Sequence, residues 1–166
     1  MKNILLLSTL FISSLTFSQK EVKLDIADAL VIRSLEFSYE QYINTESSFG
    51  VSALFNLAKQ EVDFRYNENV MITPYYRHYF TTEYAWNFFA EGFMGINSGK
   101  NTHTDSSLNV TYSNYTDAAL GVAAGLKYVA NGGLTIDAYA GIGRNLFGSS
   151  SPTLVPRVGV NVGWRL

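Results

Sequence analysis

The sequence contains no cysteine, only two histidines and only three prolines. Without cysteine there is no disulfide framework, and two histidines alone nearly exclude a tetrahedral zinc site. Scarce proline, together with abundant aromatic and β-branched residues, favours an all-β protein. The formal net charge of −2 at pH 7 is close to balance. The chain therefore lacks the basic surface of a nucleic-acid-binding protein, and no nucleic-acid partner is expected.

Long apolar runs are also absent, with one exception at the N-terminus. Lys2 precedes an apolar run over residues 4–15, and residues 16–18 (TFS) form a small-x-small site. This layout predicts a signal peptide over residues 1–18 and one mature domain over residues 19–166. A membrane anchor is the alternative, but the run is shorter than the roughly 20 residues that a spanning helix needs. The mature chain is therefore expected to have no transmembrane helix.

What the sequence has instead is an alternation of apolar and polar residues, which is typical of β-strands with two different faces. The alternating segments cover residues 22–30, 35–43, 49–57, 71–80, 86–96, 120–129, 134–142 and 157–166. The first segment is ambiguous, because Asp28 interrupts the alternation and Val22, Ile26 and Leu30 also fit a helical stripe. A strand is preferred there, since single-chain outer-membrane barrels have an even number of strands.

The two faces of these segments differ in composition. One face is apolar, whereas the other combines Gly, Ser and Asn with a few charges of both signs. In a soluble barrel or sandwich the apolar face would point inward, and in an outer-membrane barrel it would meet lipid. A small polar face suits the narrow interior of an eight-stranded barrel. Four aromatic residues near turns would form a girdle at one membrane interface: Phe80, Trp86, Tyr128 and Trp164.

The connections between the segments favour the membrane interpretation. Short turns are predicted at residues 44–48, 81–85 and 130–133, and long loops at residues 58–70, 97–119 and 144–156. Short turns at one end and long loops at the other are typical of outer-membrane barrels with periplasmic termini. The sequence therefore predicts an all-β fold, an eight-stranded antiparallel up-and-down transmembrane β-barrel (a meander) with periplasmic termini in the bacterial outer membrane.

Six charged residues are predicted to point into the periplasmic half of this barrel: Glu40, Arg77, Glu91, Lys127, Asp137 and Arg165. In so narrow an interior, opposite charges must pair. We interpret them as a plug that holds the barrel shut and fixes its register, with a narrow ion path as the alternative. Lys127 and Asp137 flank a turn symmetrically, and both face inward only if the loop has an odd number of residues. A three-residue loop is predicted, which would make them a cross-strand pair.

Several segments resemble a domain-of-unknown-function family of small bacterial outer-membrane β-barrels, which are similar in architecture to OmpA- and OmpX-type barrels. The resemblance lies in LEFSYEQYI, in ITPYYRHYF with its inward Arg77, in GLTIDAYAGIG and in the terminal strand. It implies the barrel fold and an outer-membrane location. It implies no activity.

The terminal strand also resembles the signal that the outer-membrane assembly machinery recognises during biogenesis. Arg157, Gly159, Val162 and Trp164 match its polar, glycine, hydrophobic and aromatic positions. Two further residues follow the aromatic one, where the family pattern often ends. The resemblance implies that the assembly machinery is a partner and that the last strand closes the barrel against the first.

Few residues could carry a reaction, and no cofactor or metal is expected. His78 is predicted on the lipid face near the periplasmic boundary, as an interfacial imidazole. His103 lies on the longest loop with Asp105, Ser106 and Ser107, and some eight-stranded outer-membrane enzymes modify lipids with such side chains. A catalytic triad is defined by geometry, which neighbours in one loop do not establish. An ordinary polar loop is therefore preferred over lipid-modifying chemistry.

The stretch SSLNVTYSNYTD suggests that the fifth and sixth strands extend beyond the membrane as a polar ribbon. Within it, Tyr112, Asn114 and Tyr115 are candidates for contact with an extracellular protein or glycan, because Tyr, Ser and Asn are typical of adaptable contact surfaces. A disordered loop is the alternative.

These patterns lead to one hypothesis with three alternatives. The hypothesis is a non-enzymatic, monomeric outer-membrane barrel with a plugged interior, surrounded by outer-membrane lipid, that serves as a structural or surface-contact protein of the cell envelope. The alternatives are a soluble or periplasmic lipid-binding barrel, a lipid-modifying outer-membrane enzyme and a narrow channel.

Overall fold

The computed structural model describes residues 19–57, 68–81, 85–104, 110–148 and 151–166, and for residues 32, 101–104 and 110–113 it describes the backbone only. These residues form eight β-strands: β1 (Lys20–Asp25), β2 (Ser34–Asn44), β3 (Ser47–Asn56), β4 (Glu68–Tyr79), β5 (Trp86–Thr104), β6 (Val110–Val129), β7 (Leu134–Asn145) and β8 (Leu154–Arg165). A π-helical turn, Asp28–Ile32, lies between β1 and β2. The predicted signal peptide over residues 1–18 lies outside the described residues.

The strands close into a barrel in which each strand pairs with the next along the chain. All pairs are antiparallel, and β1 pairs with β8 to complete the ring. The predicted eight-stranded up-and-down barrel is therefore confirmed. A ring of eight strands leaves an interior only wide enough to be filled by side chains, so every inward residue lies close to residues from across the barrel.

The first predicted segment, residues 22–30, is only partly a strand. The alternation holds as far as Asp25, where β1 ends. The side chain of Asp25 then accepts a hydrogen bond from the backbone N–H of Asp28 (3.0 Å), and the turn ends at Arg33 with a left-handed φ of 54°. The strand prediction is wrong beyond Asp25, because an Asp side chain offers the backbone a local partner that competes with the sheet.

Two tight turns join strands at the end of the barrel that also holds the start of β1 and the end of β8; we call this the turn end, and the opposite end the loop end. Thr45 and Glu46 connect β2 to β3. Between β6 and β7, the N–H of Ala130 donates to the carbonyl of Leu134 (2.9 Å), which encloses residues 131–133. The predicted three-residue loop is confirmed, and Gly133 provides its positive φ of 90°.

Strands β5 and β6 extend well beyond their neighbours at the loop end. Their register continues to Thr104 opposite Val110, whereas the pairing of β5 with β4 ends at Gly99 and that of β6 with β7 ends at Ala119. Residues 100–104 and 110–118 therefore form a two-stranded ribbon, called the ribbon below. The prediction that these strands extend is confirmed, and residues 105–109 lie outside the described residues.

Apolar side chains cover the outside of the barrel wall. Phe37, Val122 and Val158, from three different strands, are 50, 65 and 47 % exposed, whereas the polar residues between them along each strand are buried. This is the predicted division of the two faces, with the apolar one outward. Within the described ranges, no helix is long and apolar enough to cross a membrane.

Aromatic side chains gather on this outer surface near the turn end. Trp86 packs against Tyr128 with ring centroids 5.0 Å apart, and Phe80 and Trp164 are 65 and 52 % exposed. Each lies within a few residues of a turn or a chain end. The four residues predicted for a girdle therefore lie at one end of the barrel, on its outer surface.

Candidate functional site: the barrel interior

The interior of the barrel contains an unusual concentration of buried charge. We define the interior ion-pair cluster as nine residues, none more than 4 % exposed: Glu21, Lys23, Glu36, Glu40, Arg77, Glu91, Lys127, Asp137 and Arg157. They come from seven of the eight strands and point inward because side chains alternate along a strand. Burial of charge is tolerated only when the charges are paired and hydrogen-bonded, so the contacts of each member decide whether the cluster is stable.

Glu40 is at the centre of the cluster. Its carboxylate contacts the ammonium groups of Lys23 and Lys127, the latter at 3.0 Å, and the Arg77 guanidinium at 3.2 Å. It also accepts hydrogen bonds from the hydroxyls of Ser48 and Tyr79. One carboxylate on β2 thus contacts side chains from β1, β3, β4 and β6. These contacts fix the positions of the four strands relative to β2.

Arg77 joins this centre to the next group of acids. Its Nε donates to Glu91 Oε2 at 2.7 Å, and its Nη1 donates to Asp137 Oδ2 at 2.6 Å. The flat guanidinium lies over the Phe89 ring, 4.2 Å from the ring centroid, and 4.7 Å from that of Tyr75. Cation–π contact of this kind stabilises a charge that has lost its water.

The cluster continues towards both ends of the barrel. Arg157 donates to Glu91 (2.7 Å) and to Glu36 (3.3 Å) on the side of the loop end. Towards the turn end, Lys127 donates to Glu21 (2.7 Å), which in turn accepts from Arg165 (2.6 Å). Charges of alternating sign therefore follow one another along the barrel axis from Arg165 to Glu36.

The structure brings most of the predicted interior charges together. Glu40, Arg77, Glu91, Lys127 and Asp137 are all buried in the cluster, whereas the side chain of Arg165 is 23 % exposed at the turn end. Lys127 and Asp137 face each other in the register, as predicted. Their charged atoms are 3.9 Å apart, however, so Lys127 makes its shortest contact with Glu21 instead.

Four members of the cluster were missed by sequence reasoning: Glu21, Lys23, Glu36 and Arg157. Glu21 precedes the ambiguous first segment and Lys23 lies within it, where the face of each residue was uncertain. Glu36 lies on the same face of β2 as Glu40, but the sequence indicates no partner for it. Arg157 was assigned to the assembly signal, although its side chain is 4 % exposed and paired with two acids.

Large aromatic residues inside the barrel were also missed. Tyr75, Tyr79, Phe89, Phe93 and Tyr139 are each at most 5 % exposed. Three of them belong to adjacent pairs in the sequence, YY, YF and FF, in which one ring points outward and its neighbour inward. Such doublets hide the inward ring from a test for alternation, and these rings fill much of the space between the ion pairs.

Three acids near the loop end of the cluster have, among the described residues, the geometry closest to that of a metal site. Carboxylate oxygens of Asp25, Asp28 and Glu36 lie within 4.8 Å of one another. Asp25 accepts hydrogen bonds from the backbone N–H groups of Asp28 and Val160, and Glu36 pairs with Arg157. These hydrogen bonds and this ion pair account for the burial of the Asp25 and Glu36 carboxylates without a metal ion.

A second polar network lies at the loop end of the barrel. The carboxylate of Asp117 accepts hydrogen bonds from the backbone N–H groups of Phe147 (3.0 Å) and Gly148 (2.7 Å) and from the hydroxyl of Ser151. Asn145 donates to the carbonyl of Pro152 at 2.7 Å. The connection from β7 to β8 is thereby fastened to the rim of β6.

The candidate residues for chemistry are not brought together in the described part of the chain. His78 is half-buried on the outer surface, where its ring meets the edge of Phe80 at 5.2 Å. His103 pairs with Thr111 through the backbone of the ribbon, and its side chain is not described. Residues 105–107 lie outside the description.

The prediction that Tyr115 is a contact residue of the ribbon is wrong. Tyr115 is only 6 % exposed. It lies two residues from the buried Asp117 on β6, so both side chains are on the same face of the strand. Asn114 is exposed, as predicted, and the side chain of Tyr112 is not described. Of the four residues that match the assembly signal, Arg157 and Gly159 are buried, Val162 is half-buried and Trp164 is exposed.

A closed barrel of eight antiparallel strands in sequence order, apolar outside and ionic inside, has the architecture of small outer-membrane β-barrels. Similar solved structures include the N-terminal β-barrel domain of OprF from Pseudomonas aeruginosa, with a TM-score of 0.62 and 13 % identity. Another is Neisserial surface protein A, with a TM-score of 0.55 and 13 % identity. Each comparison covers 90 % of this chain and 96 % of the other. At this identity the likeness establishes the fold alone.

No protein-family model matches the chain, and no curated protein matches it.

Proposed function

We propose that the protein is a non-enzymatic, monomeric barrel of the bacterial outer membrane, with an interior sealed by the ion-pair cluster, that acts as a structural or surface-contact protein of the cell envelope. The observation that carries the proposal is the distribution of polar and apolar residues, which is the opposite of that in a soluble protein. Nine charged residues are almost fully buried inside, and the outer wall is apolar. Soluble monomers rarely expose large apolar patches. Outer-membrane lipid is the environment that such a wall fits.

Strand length supports the membrane assignment. A transmembrane β-strand needs about 9–11 residues, and β2, β3, β4, β7 and β8 have 10–12 residues. The start of β1, the end of β8 and the tight turns share one end of the barrel, and short turns lie at the periplasmic end in barrels of this type. The outward aromatic residues near that end fit the level of the lipid headgroups.

The sealed interior favours a plug over a channel. An ion passing along the axis would have to separate Arg77 from Glu91 and Asp137, and the rings of Phe89 and Tyr139 lie against the same guanidinium. Pairs this close, and this far from water, are costly to separate. The same pairing leaves the central carboxylates engaged with cations rather than available to act on a substrate.

The ribbon is the part of the protein best placed for contact outside the membrane. It rises beyond the other strands, and its outward residues Asn114 and Thr116 are polar and exposed, as is Ser98, which faces Thr116 at the base of the ribbon. An extracellular protein or glycan is the partner that this chemistry suits. During biogenesis the outer-membrane assembly machinery is the proposed partner of β8, whose Trp164 lies on the outer surface.

Localisation and folding can be tested together. In membrane fractions from expressing bacteria, we expect the protein in the outer membrane, migrating faster on a gel when unheated than when boiled, because a closed barrel resists detergent. A Val122→Lys variant should lose most of this folded form, since a lysine at mid-membrane on the lipid face costs about 2–4 kcal/mol.

Asn114→Lys, at an exposed position on the ribbon, serves as the matched control and should fold like the wild type. A soluble lipid-binding barrel would appear in the periplasmic fraction instead. If Val122→Lys folds as well as Asn114→Lys, the outer wall does not face lipid and the proposal is wrong.

A further inference from the structure

A row of hydroxyl groups lines the inner wall beside the ion-pair cluster. Ser38 on β2 faces Ser52 on β3, which faces Thr73 on β4. These residues are 6, 1 and 1 % exposed. Directly opposite residues on paired strands have Cβ atoms only about 4.5–5.5 Å apart, so the serine hydroxyls of β2 and β3 belong to one small region of the interior.

Tyr75 adds a further hydroxyl to this region, beside those of Ser38 and Ser52. It faces Gly50 across the β3–β4 pair, and its ring and hydroxyl lie over Gly50, within 3.0 Å of where a Cβ would stand. Because Gly50 has no side chain, the Tyr75 ring can lie over this part of β3, two residues from Ser52. The side chain is 3 % exposed, and its ring also contacts Arg77 at 4.7 Å.

Among the described residues, no hydrogen-bond partner is found for the hydroxyls of Ser38, Ser52 and Tyr75. All three hydroxyl oxygens are buried. Buried polar groups in folded proteins are almost always satisfied, and where the protein supplies no partner, ordered water does so. Three unsatisfied hydroxyls on three consecutive strands are therefore the signature of a shared ligand rather than of three separate defects.

We propose that Ser38, Ser52 and Tyr75 form an internal hydration site, the hydroxyl pocket, which holds ordered water next to the ion-pair cluster. A buried water needs two to four polar partners, and three hydroxyls, each able to donate and to accept, meet that need. Lys23, opposite Ser38 on β1 and paired with Glu40 and Asp137, places a buried charge beside the site.

The hydroxyl pocket adds ordered water to the surroundings of the ion-pair cluster. Water next to Lys23 and Glu40 polarises and reorients with the charges, which stabilises buried ions more than a dry apolar wall does. The interior is then hydrated while remaining closed to ions. This inference depends on the inner wall alone and holds whether or not the proposed envelope role is correct.

The test is water magnetic relaxation dispersion on the purified full chain in detergent micelles, which detects water molecules held inside a protein. We compare the wild type with Ser38→Ala/Ser52→Ala and with the milder Tyr75→Phe. Ser98→Ala/Thr116→Ala, which removes two exposed hydroxyls, is the matched control. Both pocket variants should lose the signal of at least one long-lived water, and the control should keep it.

Unfolding midpoints in denaturant provide a second, independent readout. If water satisfies the hydroxyls, Ser38→Ala/Ser52→Ala removes its binding partners and lowers the midpoint. If the hydroxyls are buried without water, the double variant removes two unsatisfied groups and raises the midpoint, which would overturn the proposal. An unchanged dispersion amplitude in folded Tyr75→Phe and in the folded double variant would overturn it equally.

Discussion

Replacing Arg77 by alanine (Arg77→Ala) is expected to lower the free energy of unfolding by about 3–5 kcal/mol. Arg77 is 1 % exposed and contacts Glu40, Glu91 and Asp137. Its removal leaves three buried carboxylates without their guanidinium partner in an interior that is closed to bulk water. It also removes the cation that lies over the Phe89 ring, which leaves a cavity beside the rings of Phe89 and Tyr75.

The measurement is equilibrium unfolding by urea in lipid vesicles, followed by tryptophan fluorescence. Arg144→Ala is the control, because Arg144 is exposed on the outer surface of β7 and its loss should change the unfolding free energy by less than about 0.5 kcal/mol. Equal midpoints for Arg77→Ala and the wild type would mean that the cluster does not hold the barrel together.

A single methyl group at Gly163 is expected to have the second-largest effect, a loss of about 3 kcal/mol at the upper end of the usual range for overpacking. Gly163 on β8 faces Lys23 on β1. A Cβ there would lie within 3.0 Å of Lys23 and of the backbone carbonyl of Val22. Because the obstacle includes backbone, β1 itself must move, and the contact between the first and the last strand is what closes the barrel.

Gly92→Ala provides a matched comparison. Gly92 also lies within a strand, yet a Cβ there would meet nothing within 4 Å. We expect Gly92→Ala to fold like the wild type and Gly163→Ala to show a reduced fraction of the fast-migrating folded band on an unheated gel. Similar folded fractions for the two variants would show that close packing at Gly163 is not required for closure.

Most of the fold could be predicted because alternation is a redundant signal. A strand of ten residues repeats the same contrast five times, so the parity of β3 or β8 survives a single exception. The segment at residues 22–30 contained too few repeats, and the hydrogen bond from Asp28 to Asp25 diverted the chain into a turn. A local side-chain contact of this kind leaves no periodic trace in the sequence.

The inward charges were predictable one strand at a time, but their partners were not. The alternation of side chains along a strand places Glu40 and Arg77 inside the barrel. Which ion-pair partner each one meets depends on how far each strand is shifted along the next. The pair Lys127–Asp137 could be anticipated, because a short turn sets its register. Contacts such as Lys127 with Glu21 cross the barrel between strands far apart in sequence, and only closure of the ring determines them.

The central claim is that the apolar wall faces lipid, and the two tryptophans of the chain, Trp86 and Trp164, allow a direct test. Both are more than half exposed on the outer surface near the turn end. The measurement is quenching of their fluorescence in the folded protein, reconstituted in vesicles, by brominated lipids and by aqueous iodide. Lipid brominated near the headgroup is expected to quench the fluorescence strongly, and iodide only weakly. Strong quenching by iodide with none by brominated lipid would contradict the claim.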